Sequence, residues 1–380
     1  MKLNASNFTI VSNGFADGPS QALRDYLNKH KANHVTVVVH PLVAGNQNMH
    51  LIHTYKKGKL LRKKSIRMLN NPPYTYVLDS FIPARLVKDS VWFGFNNLAC
   101  LKGLIRRSFG GTQKVVYWAV DFVPDRFGPG FATKVYDAVD RYVCTHADYR
   151  VELTQEGLDG RNEYMGVSEE KLAPSIVVPM GAWLSRTPKT SKGSWSQKKI
   201  VYMGHIVERQ GVDNVVKAMA LLVKRDPLIK LDIVGGGPDE HKMKELAEKL
   251  NVTKHITFHG FVESHEDVER LLSEATVAVA PYAKIPSNFS VTSDPGKIKA
   301  YFGASLPIVM TDVPPIAKVL SEKGAGLICE DNPGSVTEKI MEYLGDEKLW
   351  SRARAASADM AKEYDWEVIL STKLKEMGIS

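Results

Sequence analysis

Ser293-Asp-Pro-Gly-Lys-Ile-Lys-Ala-Tyr-Phe-Gly-Ala-Ser-Leu-Pro-Ile-Val-Met-Thr311 reads as a cap, a helix, a tight turn and a buried strand. Asp294 is a good helix cap, and Pro295 sits where a helix tolerates proline best. Lys297 to Ala304 completes two turns, Ser305-Leu306-Pro307 stops the helix, and Ile308-Val-Met is a short apolar strand. A helix that opens on Pro-Gly presents backbone N–H groups and a positive dipole end, which suits a phosphate. Lys297 in the first turn opposes the dipole, and a nearby anion would explain it. The plain alternative is an ordinary capped helix in an α/β domain.

Working outward, the same strand–helix grammar recurs along all 380 residues. Phe8 to Ser12 is a strand, and Asn13-Gly14 opens a loop at its end; Gly14 is therefore a candidate ligand contact. Ser20 to Asn28 is an amphipathic helix and His34 to His40 a second strand, as in an open parallel sheet with ligand at the strand C-termini. Strands follow at Tyr76 to Leu78 and Val91 to Phe93, a helix at Asn97 to Ser108, and a buried strand at Lys114 to Val120. That strand ends in the polar, aromatic loop Asp121-Phe-Val-Pro-Asp-Arg-Phe127. Residues 133–139 read as a helix, 140–145 as a strand and 147–157 as a second helix. Residues 181–197 have linker composition with little to bury. The second half then runs strand Lys199 to Met203, helix, strand Lys230 to Val234 with Gly235-Gly-Gly-Pro, helix, strand His255 to Gly260, and on through the opening stretch. Two α/β domains are expected, at 1–180 and 198–362, facing one another across a cleft, with 363–380 crossing back.

Composition narrows the function classes. The hydrophobic content of 44% supports sizeable cores. Cys100, Cys144 and Cys329 are far apart and share no metal spacing, which indicates a reducing, cytoplasmic setting and no metal. The start Met1-Lys-Leu-Asn has no apolar run after its basic residue, so no signal peptide is expected. The net charge is +8 and the excess is uneven. Lys56, Lys57, Lys59, Arg62, Lys63, Lys64 and Arg67 fall between His53 and Arg67 with no acid among them. Such a patch suits an anionic membrane surface, at about 1 kcal/mol per cation, or it is a solvated basic loop. No nucleic-acid recognition motif accompanies it, so no nucleic-acid partner is expected.

From Val201 to Pro315 the motifs fall in a recognisable order: Tyr-Met-Gly-His-Ile-Val-Glu-Arg-Gln-Gly-Val-Asp, Leu-Asp-Ile-Val-Gly-Gly-Gly-Pro, Ile-Thr-Phe-His-Gly-Phe-Val, Ala-Val-Ala-Pro-Tyr, then the opening stretch. This order resembles the family-4 retaining glycosyltransferases, which have the GT-B architecture of two facing Rossmann-like domains. The resemblance implies a C-terminal domain that binds a nucleotide-sugar, UDP- or GDP-linked, as substrate without a metal or other cofactor. It implies that the loop at Gly204 and Gly235 approaches the diphosphate and that Gly260, Phe261 and Val262 hold the base. It also implies that the amides of Gly296, Lys297 and Ile298 face phosphate. Where the family has an Arg and a Lys around this loop, the chain has His205 and Gln210, with Arg209 as a substitute cation. The family's two glutamates fall at Thr292 and Ala300, and Asp294 is a neighbouring carboxylate. On the acceptor side the family's histidine position points to Asp121 as the candidate catalytic group. The resemblance therefore implies a retaining glycosyltransferase acting on a lipid-linked or saccharide acceptor; the cysteines and the basic stretch 53–67 add the expectation of a cytoplasmic protein, peripheral at the inner membrane face. Loss of both glutamates keeps a second reading open, a nucleotide-sugar-binding protein with little or no turnover.

Overall fold

The computed structural model describes residues 1–13, 18–41, 49–67 and 88–380. The chain divides into two compact units, Met1–Pro179 with Trp366–Ser380, and Met180–Asp365.

The first unit is built on β1 (Asn7–Asn13), α1 (Pro19–Lys29), β2 (His34–His40), β3 (Met49–Lys56), β4 (Lys59–Arg67), β5 (Asp89–Gly94), α2 (Asn97–Ser108), β6 (Thr112–Trp118), α3 (Phe131–His146), β7 (Tyr149–Glu152), α4 (Gln155–Met165) and β8 (Ser175–Val177). Its sheet runs β4-β3-β2-β1-β5-β6-β7-β8. The strands from β2 to β8 pair in parallel, whereas β3 and β4 pair antiparallel and form one edge. The basic stretch 53–67 is therefore a hairpin, turning at Lys57-Gly58. The expected strand Tyr76 to Leu78 lies outside the described residues.

One local reading is overturned. Residues 140–145, expected as a strand, continue α3, and β7 lies where a helix was expected to begin. The run Asp-Arg-Tyr-Val-Cys-Thr favours a strand by composition, but Val139 and Val143 are four residues apart and meet the sheet core together with Cys144. Asp140 shares that face and accepts from the Tyr117 hydroxyl at 2.5 Å. Tertiary burial overrides local propensity here.

The second unit comprises β9 (Lys199–Met203), α5 (Val212–Arg225), β10 (Lys230–Val234), α6 (Glu240–Lys249), β11 (Ile256–Gly260), α7 (His265–Ser273), β12 (Val277–Ala280), α8 (Gly296–Gly303), β13 (Ile308–Met310), α9 (Ile316–Glu322), β14 (Gly326–Ile328), α10 (Pro333–Gly345) and α11 (Glu347–Glu363). Its sheet is parallel, in the order β11-β10-β9-β12-β13-β14. The order reverses between β9 and β12, and a crevice beyond the carboxyl ends of strands at such a switch point is the usual ligand position.

Residues 181–197 are part of this unit and are anchored to it. The Thr190 N–H donates to the Ala304 carbonyl at 2.8 Å, and the Trp195 indole donates to the Tyr343 carbonyl at 3.0 Å. Where the chain passes between units its two strands run side by side, Ala182 bridging Asp365 and donating to the Tyr364 carbonyl at 2.9 Å. The last helix, α12 (Trp366–Glu376), packs on the first unit, with Glu367 paired to Lys29 at 3.0 Å and to His30 at 2.6 Å.

Candidate functional site

At the carboxyl end of β9 the backbone turns at Gly204 with φ of 143°. A β-carbon there would meet the Lys297 ammonium at 2.8 Å, and one on Gly235, φ 129°, would lie 2.1 Å from the Gly204 carbonyl oxygen. Only glycine allows both the conformation and the approach. The ends of β9 and β10 are thereby held against the start of α8.

Tyr301 fixes that helix in place. Its hydroxyl accepts from the Met203 N–H at 2.8 Å and donates to the Val279 carbonyl at 3.3 Å, tying α8 to β9 and β12. Ile298, Tyr301 and Phe302 bury on the sheet, where each such side chain is worth about 1.5–3 kcal/mol. Lys297 is half-buried on another face, its ammonium 2.5 Å from the Gln210 side-chain oxygen and 3.4 Å from the Tyr202 hydroxyl. It also stands over the rings of Tyr202 at 4.4 Å and Tyr282 at 4.9 Å. No carboxylate pairs with it among the described residues. Burial, and next the Arg209 charge, pull its pKa down to about 7. The Arg209 guanidinium stands over the Phe289 ring at 4.8 Å. Its backbone is pinned by Asn288, whose amide donates to the Arg209 carbonyl at 3.0 Å. Two cations with no acidic partner among the described residues thus flank a glycine turn at a strand end.

Several expected residues are committed elsewhere. Asp294 is not the helix cap; Pro295 occupies that position. The Asp294 carboxylate is buried, pairs with the fully buried Lys299, and accepts from the Met180 N–H at 2.7 Å. It locks α8 to the entry of the unit, its two oxygens held by Lys299 and the Met180 N–H. The Ile298 N–H donates to the Pro295 carbonyl at 3.2 Å, so Gly296 and Lys297 supply the outward amides. Thr292 donates to the Phe289 carbonyl at 3.2 Å, and Ala300 lies one turn beyond Lys297, packed against the core. The His205 ring is exposed, and its carbonyl accepts from the Tyr202 hydroxyl at 3.0 Å. Gly260 accepts from the Gly235 N–H at 2.9 Å; Phe261 beyond it is 81% exposed, while Val262 packs inward. The aromatic cage of Tyr202 and Tyr282 and the ties of Tyr301 and Asn288 were missed. Tyr202 and Tyr282 stand at or beside strand ends and Tyr301 lies within α8, but nothing local marks them as more than core.

In the first unit Gly14 lies outside the described residues. Asp121 follows β6, is exposed, and accepts from Arg126 at 2.5 Å. Beneath it Arg161 donates to the Asp121 carbonyl at 2.9 Å and pairs with Asp140 and Glu152, each at 2.5 Å. Burial pushes the Glu152 carboxyl up to about 7 against the opposing pull of Arg161. Among the described residues no group of His, Cys, Asp and Glu could hold a metal.

This arrangement defines the class. The chain has the fold of the Anabaena protein HepE solved in complex with UDP, at a TM-score of 0.69 and 12% identity over 98% of this chain and 99% of that one. The GT-B architecture is thereby established. Residues 188–360, which contain the Gly204–Lys297 site, match the family model of glycosyl transferases group 1. An uncharacterized glycosyltransferase of Haemophilus influenzae is 25% identical over 53% of this chain and 55% of its own length. The chain spans about half the length of the first curated relatives it matches. Over 97% of both chains it is 23% identical to a GDP-mannose-dependent monoacylated phosphatidylinositol monomannoside mannosyltransferase of Corynebacterium glutamicum.

Proposed function

We propose that the chain is a glycosyltransferase that moves a sugar, with retention, from a nucleoside diphosphate donor to a saccharide or lipid-linked acceptor. The observation that carries this reading is Lys297, a half-buried cation with no acidic partner among the described residues, at a glycine turn and a helix start. Chemistry at such a site is positioning plus stabilisation of the leaving diphosphate. Lys297 and Arg209 meet its developing charge, and the Gly296 and Lys297 amides add the helix end. Gln210 stands where the family carries a lysine, and Lys297 brings its ammonium to that side chain, so the cation is re-supplied from α8. Gly260 and Phe261 flank the base. HepE bound UDP and the Corynebacterium relative is named for GDP-mannose, so both bases are tested here. On the acceptor side Asp121 is the carboxylate for the incoming hydroxyl. Three free, buried cysteines fit a cytoplasmic location. The donor serves as substrate, and no metal or other cofactor takes part in this reading.

UDP or GDP should protect the protein thermally, by about 2.7 kcal/mol at a hundred times the dissociation constant. No shift with either at saturating levels sinks the donor assignment. A second reading is favoured by Ala300, which leaves no carboxylate for a ribose hydroxyl: binding without turnover. Incubation with labelled nucleotide-sugars and membrane extract separates the two. Label moved to an acceptor supports the enzyme, and binding without transfer supports the alternative.

A further inference from the structure

The turn after β10 carries a carboxylate that the diphosphate chemistry leaves unused. Glu240 opens α6, where the helix dipole favours an acid. Its Oε1 is held by the Lys244 ammonium at 2.7 Å, one turn along the helix, and Lys244 stands over the Phe258 ring at 5.6 Å. Dipole and ion pair account for the residue type and for Oε1. They do not account for Oε2, which lies against the glycine turn. A β-carbon on Gly236 would stand 3.4 Å from Oε2 and 3.7 Å from the Phe261 backbone nitrogen. Glycine leaves that spot open, and it is bordered by a carboxylate on one side and by backbone on another.

The borders are fixed. The Gly235 N–H donates to the Gly260 carbonyl at 2.9 Å, and the Ile206 N–H donates to the Gly236 carbonyl at 3.0 Å. A β-carbon on Gly237 would lie 2.3 Å from the Ile206 carbonyl oxygen, so the ends of β9, β10 and β11 meet here without room for side chains. Phe261, 81% exposed, adds a large aromatic ring at the same place, and such a ring offers its face to a base. The Glu240 side chain is 23% exposed, so its carboxylate is partly shielded from water yet open to a ligand.

We propose that Glu240 selects the base of the donor and that the base is guanine, an assignment that rests on the nucleoside diphosphate reading above. An ionised carboxylate only accepts hydrogen bonds. Guanine presents two donors side by side, the ring N–H and the exocyclic amino group, with its carbonyl oxygen next to them. The donors match Glu240, and the carbonyl matches the Phe261 N–H. Bonds to a charged acceptor are the stronger kind. Uracil presents a single N–H between two carbonyl oxygens, so a carboxylate that takes the N–H also meets an oxygen. Adenine turns a ring acceptor to the same place. A site built to pair a substrate's N–H groups rejects analogues that lack them far better than shape alone does. Lys244 holds the glutamate in position for this contact.

Titration calorimetry of the full chain with GDP, IDP and UDP tests the assignment; IDP is GDP without the amino group. GDP should bind at least about tenfold tighter than UDP and about fivefold tighter than IDP. Glu240→Gln should weaken GDP about tenfold, leave UDP within about twofold and bring GDP and IDP together. The substitution keeps the side chain's size and gives up one partly exposed ion pair, so thermal unfolding of the nucleotide-free chain should barely move. UDP as tight as GDP, IDP equal to GDP in the native chain, or GDP affinity unaltered by Glu240→Gln overturns the proposal. An equal loss of GDP and UDP does so too, because the glutamate would then only shape the loop. Binding of UDP alone would overturn the guanine assignment and leave the donor reading standing, whereas binding of none of the three would sink both.

Discussion

Arg161 in the first unit and Lys297 in the second are both cations set beside the carboxyl end of a parallel sheet, and they are treated in opposite ways. Arg161 is 2% exposed, holds Asp140 and Glu152 at 2.5 Å each, and stacks over Tyr117 at 5.7 Å and Phe122 at 5.3 Å. Lys297 has a neutral amide and two tyrosine rings and no carboxylate among the described residues. Two residues along the chain, Lys299 shows what a structural lysine looks like here, fully buried and paired with Asp294. A buried cation whose counter-charge is built in supports the fold. One whose counter-charge is left out is available to an anion from solution.

The largest effect expected from that contrast is on stability. Arg161→Leu leaves Asp140 and Glu152 buried without their partner and should cost about 3–5 kcal/mol. Urea denaturation of the full chain reads it; a loss under about 1 kcal/mol would mean that the cluster relaxes or hydrates. Lys297→Met should do the reverse, raising apo stability at neutral pH because it removes a poorly solvated charge, while weakening a nucleoside diphosphate by about 1.5–3 kcal/mol, the worth of a charged hydrogen bond. Titration calorimetry checks this, and unaltered affinity would remove Lys297 from the site.

The acid–base behaviour sharpens the same comparison. With its pKa near 7 in the fold and 10.5 as the ordinary lysine value, Lys297 is neutral in the native state and charged in the unfolded state between those limits. The unfolded chain then binds the extra proton, so this group makes the apo protein more stable as pH rises through that window. Diphosphate binding needs the charged form, so affinity should fall by up to about tenfold per pH unit above 7. Lys297→Met should flatten that pH dependence; a native profile already flat from pH about 6 to 9 would contradict it.

The smallest expected effect concerns Ala300, one helical turn from Lys297. Ala300→Glu should add an acceptor for ribose hydroxyls and tighten nucleotide binding by about 1 kcal/mol, less than an ideal charged hydrogen bond because the new carboxylate also reaches for Lys297. Weaker binding would mean that it merely neutralises the cation.

The sequence determined the repeating strand–helix order, the two α/β units and the glycine turns, because hydrophobic period and glycine's freedom act over a few residues. It also exposed Lys297 as a cation in the wrong turn of a helix. Which side chains were spent elsewhere was decided only by the tertiary structure. Asp294 looked like a cap or ligand until Lys299 and the Met180 N–H claimed it. Arg209 looked like the lone substitute cation; its guanidinium stands over Phe289, and Lys297, 87 residues along the chain, joins it by reaching Gln210. Residues 140–145 had the composition of a strand and became helix because Val139, Val143 and Asp140 found the sheet core and the Tyr117 hydroxyl together. The basic stretch 53–67 was legible as charge alone. Its pairing with β3, which puts Arg62, Lys64 and Ile66 on one side of β4, came only with the antiparallel register. Counter-charges and shared faces are pairings between distant residues, and local sequence carries no record of who meets whom.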